Sequence, residues 1–150
     1  MKNQIIRRRK VLQVGLATGA ALLLPTARAC EFFTPTLRVT HPWTRASVKD
    51  ATTAIVCMKI DQVSKLDRLI GVDTPVAGGA EIIGIEGRSG VNLLIFPGQE
   101  TVFGETGVQL RLLKLTQPLL IARTYAMRLY FEKGGVMDAE LNVDYLPALT

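Results

Sequence analysis

The chain has 150 residues, 48% of them hydrophobic and 21% charged, with a formal net charge of +5, enough for one domain with a sizeable core and not for two. The charge is unevenly placed. Residues 1–29 hold 6 of the 18 Lys and Arg and none of the 13 Asp and Glu, so residues 30–150 carry 12 basic against 13 acidic side chains, a net charge of −1. A near-neutral domain with scattered charges offers no electrostatic footprint for nucleic acid or anionic lipid.

Residues 1–29 have the three-part layout of a secretory leader: Lys2, Arg7, Arg8, Arg9 and Lys10, then the apolar run Val11 to Pro25, then the small-residue pattern Ala27-Arg28-Ala29. The apolar run is shorter than the ~20 residues needed to span a bilayer. Arg8-Arg9-x-Val-Leu-Gln resembles a twin-arginine export signal, with an ordinary secretory leader that has a rich basic end as the alternative. Cleavage after Ala29 would release residues 30–150 as one periplasmic domain beginning at Cys30, with no membrane span.

Cys30 and Cys57 are the two cysteines, and the compartment outside the cytoplasmic membrane is oxidising. Three readings compete: a disulfide joining the new N-terminus to the strand that holds Cys57, a lipid anchor on Cys30 at a site poorly suited to it, and paired thiolates for a soft metal ion.

From there the pattern is that of strands. Residues 36–41 (TLRVTH) alternate apolar and polar side chains, and 52–60 (TTAIVCMKI) are β-branched and mostly apolar, as a strand buried on both faces would be. Further strands are expected at 67–72, 80–85, 91–96, 108–115, 125–131 and 136–143, separated by turn signals at TPVAGG, EGRSG, PGQ, ETG and EKGG. No long helical period occurs after residue 29. Eight short strands at this spacing predict an all-β Greek-key sandwich or barrel.

An enzyme is not indicated. His41 is the single histidine, which excludes paired-histidine metal motifs and leaves any triad resting on one residue. Asp67, Glu81 and Glu132 read as solvated charges at strand ends and turns. Neither EGRSG nor EKGG has the strand and helix context of a phosphate-cradling loop.

His41-Pro42-Trp43-Thr44-Arg45-Ala46-Ser47, the strand ending Cys57-Met58, Asp67-Arg68-Leu69-Ile70-Gly71-Val72, Thr74-Pro75-Val76-Ala77, Ala80-Glu81 and Phe131-Glu132-Lys133-Gly134-Gly135 together resemble the periplasmic copper chaperones of the PCuAC type, from about Leu37 to Val143. The resemblance implies a cupredoxin-like sandwich that binds copper(I) and hands it to a partner, notably toward the copper centre of cytochrome oxidase. It also implies soft ligands in two His-x-Met pairs. The first pair falls on Ile83 and Ile85, the second on Gln109 and Arg111, and an added methionine expected near Asn92 to Leu94 is missing.

No histidine, methionine or cysteine occurs from Lys59 to Ala126. Isoleucine has no lone pair, an amide oxygen is a hard donor, and a guanidinium repels a cation. A relocated copper(I) site would have to draw on Cys30, His41, Cys57, Met58, Met127 and Met137. Cys57 and Met58, as successive strand residues, point to opposite faces. Trp43 is expected to be a buried structural tryptophan, with a cation-π cover over a metal as the alternative. Two functions stay open: a copper-handling accessory that receives or passes copper alongside a partner, and a metal-free interaction module. In the second, Ile83, Ile85, Leu110 and Leu112 would form the docking face if exposed.

Overall fold

The structure, a computed structural model, describes residues 30–87 and 89–149. The leader and its cleavage point lie outside the described residues. Ten strands follow one another: β1 Glu31–Phe33, β2 Arg38–Arg45, β3 Thr53–Asp61, β4 Asp67–Asp73, β5 Ala77–Ile83, β6 Leu93–Ile95, β7 Thr101–Phe103, β8 Gln109–Leu115, β9 Thr124–Phe131 and β10 Gly135–Tyr145. Among the described residues no helix is long and apolar enough to cross a membrane.

Eight of these strands are the ones expected from the alternation of side chains. The other two, β1 and β7, are three residues each, too short to show a period of their own. They exist because β2 and β3 offer free edges for them to pair with. The strand order is β5-β8-β3-β2-β10-β9-β4-β6, with β1 on β2 and β7 on β3. Strand β3 serves two ladders, its first half pairing with β8 and its second with β7. Consecutive Val56, Cys57 and Met58 are therefore all buried, as its run of apolar residues predicts.

Two strands depart most from their expected boundaries, each for a backbone reason. Strand β2 does not stop at His41 but runs through Pro42 to Arg45. The proline is accommodated because the ladder to β3 shifts register between Thr40 and Trp43, so no partner there needs the missing N–H. His41 carries the bend, with φ 48, in the small left-handed region that histidine enters more readily than most residues. Strand β5 starts at Ala77, so Gly78 and Gly79 are strand and not turn. It stops at Ile83, because Gly84 adopts φ 91 and any Cβ there would strike the Gly107 carbonyl.

The core lies between the layers. Val39, Val56, Ile60, Leu69, Ile95, Leu110, Leu112, Leu129 and Leu141 are wholly buried there with Phe103 and Met58. Each such aliphatic side chain contributes about 1.5–3 kcal/mol by leaving water. A second, smaller cluster of Ala46, Val76, Leu119 and Val143 closes the end where β2 and β10 finish side by side in parallel.

Candidate functional site

Strands β5 and β8 form an antiparallel pair at the edge of the sheet. The core face of β8 is fixed by Leu110 and Leu112, both 0% exposed. Alternation then turns Gln109 and Arg111 to the outer face. The register sets Ile83 opposite Gln109 and Glu81 opposite Arg111, so three of the four positions matched to the His-x-Met pairs meet on one half-buried surface. Ile85 falls just beyond β5 and packs against the core.

The chemistry of that surface is an ion pair. Arg111 Nε donates to Glu81 Oε1 at 2.8 Å, and its Nη2 donates to the same oxygen. Gln109 Nε2 donates to the Glu105 carbonyl. Each polar group is thus satisfied by a neighbour and none offers a soft lone pair. As a docking face it is smaller than expected: Leu110 and Leu112 belong to the core and Ile85 packs against it, which leaves Ile83 of the four expected apolar members.

The relocated candidates gather around the bend of β2. Cys57 pairs with Trp43, and Trp43 pairs in turn with Asn142 on β10. These three side chains therefore share the outer face. Cys57 is nevertheless only 4% exposed. It lies in a cleft of about 430 Å³ whose lining includes Thr40, His41, Trp43, Lys59 and Glu105. The ion pair of Arg45 Nε with Glu105 Oε2, at 2.6 Å, stands beside it. Burial, reinforced by the Glu105 carboxylate and opposed by Arg45, pushes the thiol up to about 11. A thiol so disposed is a poor nucleophile at neutral pH.

His41 borders the same cleft, but its Nε2 is 2.8 Å from Asp144 Oδ2, on the β10 side of the strand. Cys30 also lies on that side. Its carbonyl accepts from the His41 N–H at 2.6 Å, and its thiol accepts from Asn142 Nδ2 at 3.6 Å. Cys30 and Cys57 thus flank β2, roughly two strand spacings or about 10 Å apart, beyond the ~7 Å at which a disulfide can close. Both thiols are free, so of the three competing readings the Cys30–Cys57 disulfide is not the one this structure shows.

Met58, Met127 and Met137 fill the core, with Met58 on the opposite face from Cys57 as alternation requires. Trp43 is half-buried instead of fully buried, its ring set edge-on to Tyr145 with centroids 4.7 Å apart and an interplanar angle of 64°. Among the described residues, no group of three or more His, Cys, Asp or Glu could hold a metal ion.

One carboxylate read as solvated is instead buried and fully hydrogen-bonded. Asp67 is 1% exposed and accepts four hydrogen bonds: from Thr36 Oγ1 at 3.1 Å, and from the N–H groups of Arg68 at 2.8 Å, Lys133 at 2.8 Å and Gly134 at 2.9 Å. It ties the start of β4 to the β9–β10 hairpin and to the turn before β2. Gly134 is required by that closeness, since a Cβ would lie 2.8 Å from Thr34 Oγ1. The signal for this anchor was the joint presence of Asp-Arg-Leu and Phe-Glu-Lys-Gly-Gly, whose two halves meet here.

The chain matches the family described as "Putative lipoprotein LpqE-like" over residues 37–143. It belongs to that family. Its fold is that of PCuAC domains, which confirms the cupredoxin-like sandwich. The apo PCuAC domain from PmoF1 superposes with a TM-score of 0.70 at 26% identity, covering 77% of this chain and 98% of that one. The copper-bound PCuAC domain from PmoF2 gives 0.70 at 22% identity over 77% and 97%. The copper(I) form of DR1885 from Deinococcus radiodurans gives 0.62 at 19% over 83% and 85%. No curated protein matches the chain.

Proposed function

We propose that this protein serves copper handling outside the cytoplasm as a chaperone-like relative of PCuAC domains whose usual ligand face has been replaced. Family and fold support the general role. The ligand face carries the specific reading: Ile83 lies opposite Gln109, and Arg111 is locked onto Glu81, at the positions where the resemblance implies two His-x-Met pairs. A copper(I) ion at this face would meet a cation and no sulfur.

The role is then that of an accessory, one that docks to a copper-handling partner or works beside a competent relative, with the copper centre of cytochrome oxidase as the process served. We assign no catalytic step to it. The leader of residues 1–29 delivers the domain of residues 30–150 to the periplasm. A metal-free interaction module is the second reading. It rests on Ile83, an apolar side chain left only partly covered on that face, with Ile85 partly covered just beyond the end of β5.

The deciding experiment is a copper(I) competition titration of the wild-type chain, with its cysteines reduced, against the quadruple variant I83H/I85M/Q109H/R111M. The wild type is expected to leave the chelator's copper in place, and the variant to take up one equivalent. Tight binding by the wild type that survives Cys57→Ser would overturn the replaced-face reading. Tight binding lost on Cys57→Ser would move the metal to the Cys57 cleft and overturn it equally. A variant that stays folded but takes up no copper would break the match between these positions and the His-x-Met pairs.

A further inference from the structure

The outer face of β3 carries two hollows in a row, with one ion pair between them. Thr53, Ile55, Cys57 and Lys59 alternate onto that face. Cys57 and Lys59 belong to the cleft of about 430 Å³. Thr53 and Ile55 belong to a second hollow of about 210 Å³, which Arg45 also lines. Glu105 lines both, so the Arg45–Glu105 pair is the partition of what is otherwise one trough along the β2–β3 pair.

Glu105 stands on the loop between β7 and β8, residues 104–108, and that loop is fastened on two sides. Arg45 Nε donates to Glu105 Oε2 at 2.6 Å and Arg45 Nη2 to Oε1 at 2.9 Å, a two-bond fork that fixes direction as well as distance. The arginine is itself held, by a bond from Nη1 to the Leu146 carbonyl at 3.2 Å and by the Tyr145 ring 5.5 Å from its guanidinium carbon. On the other side the Glu105 carbonyl accepts from Gln109 Nε2. The ladder explains why Gln109 is within reach: Ile55 pairs with Arg111 and Val56 with Leu110, so the next step along both strands brings Gln109 beside Cys57.

The fastening is weaker than what it covers is buried. The paired side chains of Arg45 and Glu105 are 36% and 40% exposed, whereas Cys57 is 4% exposed. An ion pair so open to water breaks far more often than the domain unfolds.

We propose that the β7–β8 loop is a strap that gates the Cys57 thiol: latched by Arg45 and Gln109 it shuts reagents out, and released it joins the two hollows and opens Cys57 to small disulfides. The gate is independent of whether copper binds anywhere. Its readout is exchange with the uncharged reagent dithiodipyridine, on the full chain carrying Cys30→Ser so that Cys57 is the one thiol present. The Cys57 thiolate bonds to one sulfur of the reagent and is oxidised to a mixed disulfide. The reagent's own S–S bond breaks, and its other half leaves, reduced, as thiopyridone with the thiol's proton, to be counted by absorbance.

Gate and local field predict different signs. The thiolate is the reacting species; the Glu105 carboxylate pushes the thiol up and Arg45 pulls it down. A field acting alone makes Glu105→Gln faster and Arg45→Gln slower, and leaves Arg45→Lys unchanged. The gate makes all three faster, Glu105→Gln and Arg45→Gln by about three- to fivefold and Arg45→Lys by less, because it keeps the charge and loses the fork. All three are expected to melt close to the Cys30→Ser parent. A rate for Arg45→Gln at or below the parent's overturns the proposal. Should Arg45→Gln melt so low that global unfolding exposes the thiol, Arg45→Lys decides in its place by the same criterion.

Discussion

Two regions of this molecule carry segments that resemble the same family, and they have fared differently. At the Asp67 corner the Asp-Arg-Leu and Phe-Glu-Lys-Gly-Gly segments are intact, and the carboxylate takes four hydrogen bonds in a fully buried position. On the β5–β8 face the positions that the resemblance matches to ligands hold Ile83, Gln109 and Arg111, where Arg111 makes a half-buried ion pair with Glu81 and Gln109 an amide contact. The contrast is one of cost. Removing a buried charge that satisfies three backbone N–H groups leaves those donors stranded, whereas the outer face of an edge strand pair accepts new side chains without disturbing Leu110 and Leu112 beneath it.

The sharpest way to test that contrast is stability. Asp67→Ala should cost about 3–4 kcal/mol in urea unfolding, from the loss of charge-assisted bonds and three unpaired N–H donors. Asp67→Asn should cost less, because its amide oxygen still accepts one or two of them. A change under 1 kcal/mol for the alanine variant would show that the corner is not the anchor described here.

Between the extremes stands Asp61, 8% exposed. Hydrogen bonds from Arg38, against the opposing effect of burial and with help from Lys59, hold its carboxyl down to about 2. Its unfolded value is about 3.9, so the stability it brings is complete above about pH 4 and drains away as pH falls through 2, on the order of 1 kcal/mol. Arg38→Gln should flatten that part of the acid unfolding profile. A profile unchanged by the substitution would remove Asp61 from the account.

The smallest effect is expected at the exchanged face. Arg111→Met breaks an ion pair whose side chains are 37% and 28% exposed, and should change stability by less than about 1 kcal/mol. If it costs as much as Asp67→Ala, the face is structural, and the difference drawn between the two regions fails.

Much of this was legible in the chain. Alternation placed eight of the ten strands and set Leu110 and Leu112 apart from Gln109 and Arg111, because side-chain direction in a strand follows from position alone. Composition set the basic residues 1–29 apart from the near-neutral remainder, and the run from Lys59 to Ala126 was seen to hold no histidine, methionine or cysteine before any geometry was known. What the tertiary structure decided were distances between segments far apart in sequence. It carried β2 through Pro42 on a bulge and put Cys30 and Cys57 on opposite sides of that strand, so no disulfide closes between them. It also folded two distant donor segments, Thr36 and Lys133–Gly134, around Asp67. A charge looks solvated in a sequence because its partners cannot be seen there; burial is a property of the neighbours, and they are assembled only when the chain closes on itself.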